Sequence, residues 1–253
     1  MKTRPGVELA SLTDVGCQRE NNEDSYGYWE PANDADFTKL GRLAIVADGM
    51  GGHEGGQVAS RLAVETFTKA YAAAGDSDPA KRLLTALKEA HRSIQQHARQ
   101  NPHLNSMGTT CTAVALIGSR LFFIHVGDSR VYLLREGKLR ILSRDHTLIA
   151  QLLAKGLIQP DQAQNHPQKH ILTSALGVPD DQMEIDASSE ALLLHKNDVL
   201  MICTDGLWGQ VQANEIKDAL GAESPDAACR SLVQLAKGRG GPDNITLQVL
   251  RIA

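Results

Sequence analysis

The sequence predicts an α+β protein in which sheets pack together and helices lie outside them. Three observations carry this expectation. Apolar runs of five residues or fewer recur, and four of them follow in close succession between Thr109 and Leu142 with turn residues between. Segments with apolar residues at helical spacing alternate with these runs. The chain closes on an alternating stretch, residues 244–252.

Taken in order, residues 7–12 and 25–29 are short strand candidates. Residues 43–47 form a continuous apolar run that ends at Asp48, which suits a strand buried on both faces. Val58, Leu62, Thr66 and Ala70 recur every four residues and predict a helix over 56–74. Asp78 is placed to cap a second helix, with Pro79 in its first turn and Leu83, Leu87, Ala90 and Ile94 as its apolar stripe. Strands are expected at 109–117, 120–126, 130–135 and 138–142, with Gly118-Ser119 and Glu136-Gly137 as hairpin turns. A short helix is expected at 148–154. Residues 156–181 are rich in Gln, Pro and His with little periodicity, as functional loops often are. Residues 199–203 read as a buried strand. Ser224-Pro225 opens a last helix with Ala228, Leu232 and Ala236 on one face.

The chain has 253 residues, 26 Lys plus Arg against 30 Asp plus Glu, and a formal charge of −4. No repeat or linker divides it, so residues 1–253 read as a single domain. An apolar content of 42% is ordinary for a globular chain. No run approaches the ~20 apolar residues of a membrane span, and MKTRPGVELASL carries no secretory signal. Mild acidity argues against a general nucleic-acid binder. Cys17, Cys111, Cys203 and Cys229 form no CxxC pair and fit reduced thiols, so the expected location is cytoplasmic.

The informative pattern lies in the aspartates. Asp48, Asp128, Asp205 and Asp243 each fall at or near the end of an apolar strand, close to glycine. Such carboxylates could converge at one rim of a sheet. Clustered carboxylates repel unless a cation neutralises them, and hard oxygen ligands suit Mg²⁺ or Mn²⁺. Taken singly, each Asp-Gly reads first as a simple turn. Arg19 to Asp24 (RENNED) offers a cation for an anionic substrate and carboxylates for metal-bound water, or simply a charged loop. The glycine-rich 48–56 stretch lacks the Lys-Ser/Thr of a P-loop. No Gly-x-Ser-x-Gly elbow is present. His146, His166 and His170 read as surface or packing histidines, and Cys203 as a structural one in an apolar strand.

In order along the chain, RENNED (19–24), DGMGGHEGG (48–56), GTT (108–110), VGDSR (126–130), DHT (145–147), LTSALG (172–177), CTDGL (203–207) and GGPDNIT (240–246) resemble the metal-dependent protein phosphatases, also called type 2C serine/threonine phosphatases. The DGMGGH block looks like the bacterial branch. The resemblance implies a four-layer α-β-β-α sandwich, two packed mainly antiparallel sheets flanked by helix pairs. It implies a centre of two core Mn²⁺ or Mg²⁺ ions, with Asp48 bridging both and the Gly49 carbonyl binding one. Asp205 and Asp243 would hold the other. Asp128, with Asp205, would bind a third, weaker ion. Glu23 and Asp24 match carboxylates near the second ion or its waters, and Arg19 matches the phosphate-binding arginine. Residues 156–181 would be a flap beside the site.

The implied activity is hydrolysis of phosphoserine and phosphothreonine by metal-activated water, with Asp48, Arg19, Asp205 and Asp243 as the catalytic set. The expected partners are phosphorylated proteins made by a serine/threonine kinase, with no nucleic acid and no membrane, and the chain is expected to act as a monomer. A non-catalytic phosphoprotein-binding module and a phosphatase of small phosphoesters are the alternatives. Two positions depart from the family pattern. Met50 stands where animal relatives carry a proposed general-acid histidine, and Ser174 where Arg or Gln is common. His53 is the nearest histidine in sequence to Met50.

Overall fold

A computed structural model describes residues 4–51, 54–164, 166–179 and 183–253. His53 lies outside the described residues. The chain begins β1 (Val7–Asp14), β2 (Asp24–Trp29), α1 (Asp34–Leu40), β3 (Arg42–Met50), α2 (Gly55–Ala73) and α3 (Pro79–Gln100). Short strands follow: β4 (Gly108–Thr109), β5 (Cys111–Ile117), β6 (Arg120–Val126), β7 (Arg130–Arg135) and β8 (Lys138–Ile141). Next come α4 (Leu148–Ala154), α5 (Pro160–Gln164), β9 (Asp186–Ala187), β10 (Leu192–Leu193) and β11 (Val199–Cys203). The chain ends α6 (Asp205–Trp208), α7 (Ala213–Ala222), α8 (Pro225–Gly238) and β12 (Ile245–Ile252).

One sheet has the order β1-β12-β11-β7-β8 and the other β10-β6-β5-β3-β2, with β4 on β3 and β9 on β6. Each pairing is antiparallel. Side-chain alternation explains why β3 is apolar without a break. Leu43, Ile45 and Ala47 face α2 and α3, where they meet Phe67, Tyr71, Leu83 and Leu87. Ala44 and Val46 face the other sheet, among Leu200, Ile202 and Leu250. The sheet of β11 and β12 buries Met201, Leu247 and Val249 against α7 and α8. The result is the expected four-layer sandwich, with helix pairs outside.

The elements follow local chemistry. The Asp78 side chain accepts the Ala80 N–H at 2.9 Å and Pro79 starts α3. The Ser224 hydroxyl accepts the Ala227 N–H ahead of Pro225. Gly27 in β2 has no room for a side chain, because a Cβ there would come within 2.8 Å of Val64 Cγ1 on α2.

Several expected boundaries shift. The first two strands extend to Val7–Asp14 and Asp24–Trp29, and the third runs over Arg42–Met50. Thr110 interrupts the 109–117 strand, although β4 and β5 keep one register on β3. Helices α1 and α7 were not expected. The 156–181 stretch holds α5, and its far end is tied down by bridges from Thr147 to Leu172 and from Thr109 to Leu176. No helix among the described residues is long and apolar enough to cross a membrane. The four cysteines are free, with Cys17 exposed and the other three buried.

Candidate active site

The strand ends bring the expected residues together. Asp48 lies near the end of β3, Asp128 in the turn between β6 and β7, Asp205 at the start of α6 after β11, and Asp243 ahead of β12. All four line one cleft of about 800 Å³ together with Arg19, Glu23, Gly49, Met50, Thr110 and His170. Asp24 is the exception. It sits opposite Asp48 in the β2–β3 register, on the face between the sheets, and is 8% exposed. It does not line the cleft. Its Oδ2 accepts the Thr204 hydroxyl at 2.9 Å, and its Oδ1 is buried without a partner.

The backbone of this rim is held from neighbouring strands. The Asp48 N–H donates to Thr110 Oγ1 at 2.9 Å, and its carbonyl accepts the Thr110 N–H and the Thr109 hydroxyl. Gly49 packs so closely that a Cβ would come within 2.1 Å of the Gly56 carbonyl and 2.5 Å of the Glu23 carbonyl. Both are backbone atoms that cannot swing aside, so glycine is required there. Asn244 pins the loop that carries Arg19 and Glu23. Its Oδ1 accepts the Glu23 N–H, and its Nδ2 donates to the Val15 and Asn21 carbonyls.

The electrostatics are those of crowded carboxylates. Burial, then the charges of Asp24, Asp205, Asp128 and Asp243, push the Asp48 carboxyl well above its ordinary value. Burial followed by Asp205 and Asp145 does the same to Asp128. Burial raises Asp24 to about 7 even though Thr246 and Thr204 hydrogen-bond to it. Burial also raises Glu23, against the pull of Arg19. A guanidinium and an imidazole face these carboxylates. Arg19 Nη2 donates to Asp243 Oδ2 at 2.8 Å, and His170 Nδ1 lies 3.3 Å from Asp205 Oδ2.

This donor set fits a divalent cation. It consists of carboxylates and a glycine carbonyl, and it repels itself. Among the described residues no three His, Cys, Asp or Glu side chains close on one point as a preformed cage. Oxygen donors of this kind suit Mg²⁺-like ions, which keep several waters and take one or two carboxylates each, whereas structural zinc prefers Cys and His.

His170 was read as a surface or packing residue, and the structure places it on the cleft. Its position in the unpatterned 156–181 stretch was the one available signal. His146 packs in the interior, 1% exposed. Cys203 is fully buried in β11, as expected. Thr110 and Asn244 lie inside GTT and GGPDNIT, where nothing in the sequence marks them as braces of the backbone. Ser174, a departure from the family pattern, anchors the chain on its own account. Its hydroxyl accepts the Glu184 N–H at 2.7 Å and donates to the Glu184 carbonyl at 2.9 Å.

A β-sandwich that ends in an acidic cleft defines a class, and comparison with known proteins gives it a name. The chain matches the protein phosphatase 2C family over residues 18–234 and belongs to that family. Among its members, the chain is similar to the protein phosphatase PhpP of Streptococcus pneumoniae, with 33% identity over 248 residues that cover 96% of this chain and 97% of that protein. It is 36% identical to the serine/threonine protein phosphatase PstP of Mycobacterium tuberculosis over 96% of its own length, and spans only 44% of PstP. It also resembles a crystal structure of the PstP catalytic domain in complex with two manganese ions, with a TM-score of 0.83, 31% identity and 98% and 99% of the two chains covered.

Arg19 is exposed at the mouth of the cleft, with 51% of its side chain accessible. If Arg19 takes the phosphoryl group, as the family resemblance implies, replacing it with Ala costs about 2–4 kcal/mol in kcat/KM, chiefly through KM. Steady-state kinetics beside a Mn²⁺-binding titration checks this. Loss of Mn²⁺ binding in the variant would contradict the role.

Proposed function

We propose that the protein is a Mn²⁺- or Mg²⁺-dependent phosphatase that hydrolyses phosphoserine and phosphothreonine in proteins. One observation carries the reading: Asp48, Asp128, Asp205, Asp243 and Glu23 line a single cleft with Arg19 at its mouth. Family membership and the named relatives support it. In this reading Asp48, the Gly49 carbonyl, Asp205 and Asp243 hold two core ions, and Asp128 with Asp205 holds a third. Glu23 faces their waters. Asp24, behind Asp48, contributes charge and not a direct contact. When bound, the ions supply a water of lowered pKa and neutralise the phosphoryl oxygens.

The chain's own residues do the rest. The Arg19 guanidinium matches the planar oxygens of a phosphoryl group and orients it. Asp243 holds that guanidinium over the cleft. The glycine at position 49 lets the backbone approach without a side chain in the way. Met50 has no proton to give a departing serine oxygen, so we assign that proton to solvent at the Asp128 end. Residues 156–181 act as a flap that meets the protein part of the substrate. The chain works as one catalytic domain and as a cytoplasmic monomer on products of a serine/threonine kinase, with no membrane or nucleic-acid partner.

The test compares phosphate release from a phosphothreonine peptide and from a sugar phosphate with Mn²⁺ present. The expected kcat/KM is at least about a hundredfold higher on the peptide, some 3 kcal/mol of added contact. Equal values would favour a phosphatase of small phosphoesters. Binding of the peptide without turnover would make the protein a phosphoprotein-binding module.

A further inference from the structure

The Asp128 carboxylate is aimed through its backbone, and the groups that hold that backbone come from separate segments of the chain. Gly127 has φ +108°, and a Cβ there would come within 2.5 Å of Thr110 Cγ2, so the turn needs glycine. Its N–H donates to His146 Nδ1 at 3.2 Å, and its carbonyl accepts the His146 N–H at 2.7 Å. On the other side, the Trp208 indole Nε1–H donates to the Asp128 carbonyl at 2.9 Å. The Arg130 guanidinium stacks 3.6 Å over the Trp208 ring and forks onto Asp145, with Nε to Oδ1 at 3.0 Å and Nη2 to Oδ2 at 2.7 Å.

Trp208 is the last residue of α6 and Asp205 the first. One ring therefore ties the backbone of Asp128 to the element that carries Asp205. Stacking fixes the ring plane and the Asp145 fork fixes the stacking cation, so the indole N–H has a single aim. We infer that Trp208, held by Arg130 and Asp145, is a positioning residue that sets the separation of the Asp128 and Asp205 carboxylates and thereby the affinity of the cation they share. The inference rests on the metal-dependent reading above. Partners that orient metal-binding side chains change affinity by about 10–100-fold when removed.

The experiment is calorimetric titration with Mn²⁺ of the whole chain and of Trp208→Phe, Arg130→Lys, Asp128→Ala and the Trp208→Phe/Asp128→Ala double variant. Trp208→Phe keeps the ring and loses the N–H, while Arg130→Lys keeps the charge and loses the fork. Asp128→Ala is expected to abolish the weakest Mn²⁺ step. Trp208→Phe is expected to weaken that step about tenfold and leave the tighter steps within about twofold. The double variant should match Asp128→Ala, as expected of two residues acting through one site. Arg130→Lys should weaken the same step, and it carries the test if Trp208→Phe does not fold. An unchanged weakest step in both variants overturns the inference, and so does equal weakening of every step, which marks a purely structural role. Absence of any Mn²⁺ binding by the unaltered chain would instead overturn the metal-dependent reading itself.

Discussion

Asp48→Asn and Asp205→Asn are each expected to lower kcat on a phosphothreonine peptide by about a thousandfold or more at saturating Mn²⁺, a loss of at least about 4 kcal/mol in transition-state stabilisation. The reason is charge, not shape. Asparagine fills almost the same volume, and the backbone hydrogen bonds of Asp48 to Thr109 and Thr110 remain. What disappears is one negative charge from a group already crowded by Asp24, Asp205, Asp128 and Asp243. In the metal-free chain, asparagine stands in for the protonated carboxyl and never has to be ionised in that crowd, so the metal-free Asp48→Asn protein should melt no lower than the unaltered one. Kinetics and thermal melts on the same preparations separate the two effects. Activity within about tenfold of the unaltered protein would exclude Asp48 from the chemistry.

Chelation is expected to abolish activity and to change how stability depends on pH. With EDTA, hydrolysis of an aryl phosphate should fall to background, and Mn²⁺ should restore it. The folded metal-free chain keeps protons on Asp24, Asp48 and Asp128 that the unfolded chain gives up near the ordinary value of 3.8. The folded state thus binds more protons, and stability falls as pH rises toward the folded values, by roughly 1 kcal/mol per pH unit for each carboxyl still protonated. Burial lowers His125 to about 3 and moves His146 down from its ordinary 6.5, so both act in the opposite sense, but only below that value. Asp14, Asp198 and Glu215, all lowered, act below the carboxylate range. The clean window therefore opens at about pH 6.5 and extends to the value of about 7 reached by Asp24. There the melting temperature in EDTA should fall with pH and the Mn²⁺-loaded protein should hold steady, because bound cations replace the protons. A rise across that window in EDTA would contradict the crowding described for Asp48 and Asp128.

Much of this was legible in the sequence, for identifiable reasons. Strands buried on both faces, such as β3 and β11, must be apolar at every position, so they stand out, and the aspartates that end them stand out too. Helix α3 carries a cap, a proline and a full apolar stripe. Helix α1 has no buried residue, so no stripe exists to read; the Asn33 cap starts it, and its Phe37 lies between Arg4 and Arg42. Helix α7 begins with glutamine in a capping box, Gln212 with Glu215, where serine or threonine is the usual sign. His170 could not be placed because its partner, Asp205, is 35 positions away and no periodicity links them. Asp24 matched its motif, and its pairing opposite Asp48 puts both on the face between the sheets, where Asp24 is buried against Thr204 and does not reach the cleft.

The neck of the 148–171 segment has a consequence for how such a protein diversifies. The Leu148 N–H meets the Ile171 carbonyl at 2.9 Å, and Ser174 grips Glu184 just beyond. What lies between is a closed ring hung from a fixed collar. Lengthening a flexible ring costs only about 0.6 kcal/mol per doubling, and a collar of this kind keeps that strain from reaching the carboxylates. Residues can be inserted, deleted or exchanged inside the ring while the hydrolytic apparatus stays in register. Substrate preference could then be altered by redrawing the ring alone, and His170, one residue inside the collar, is where the redrawn part first touches the cleft.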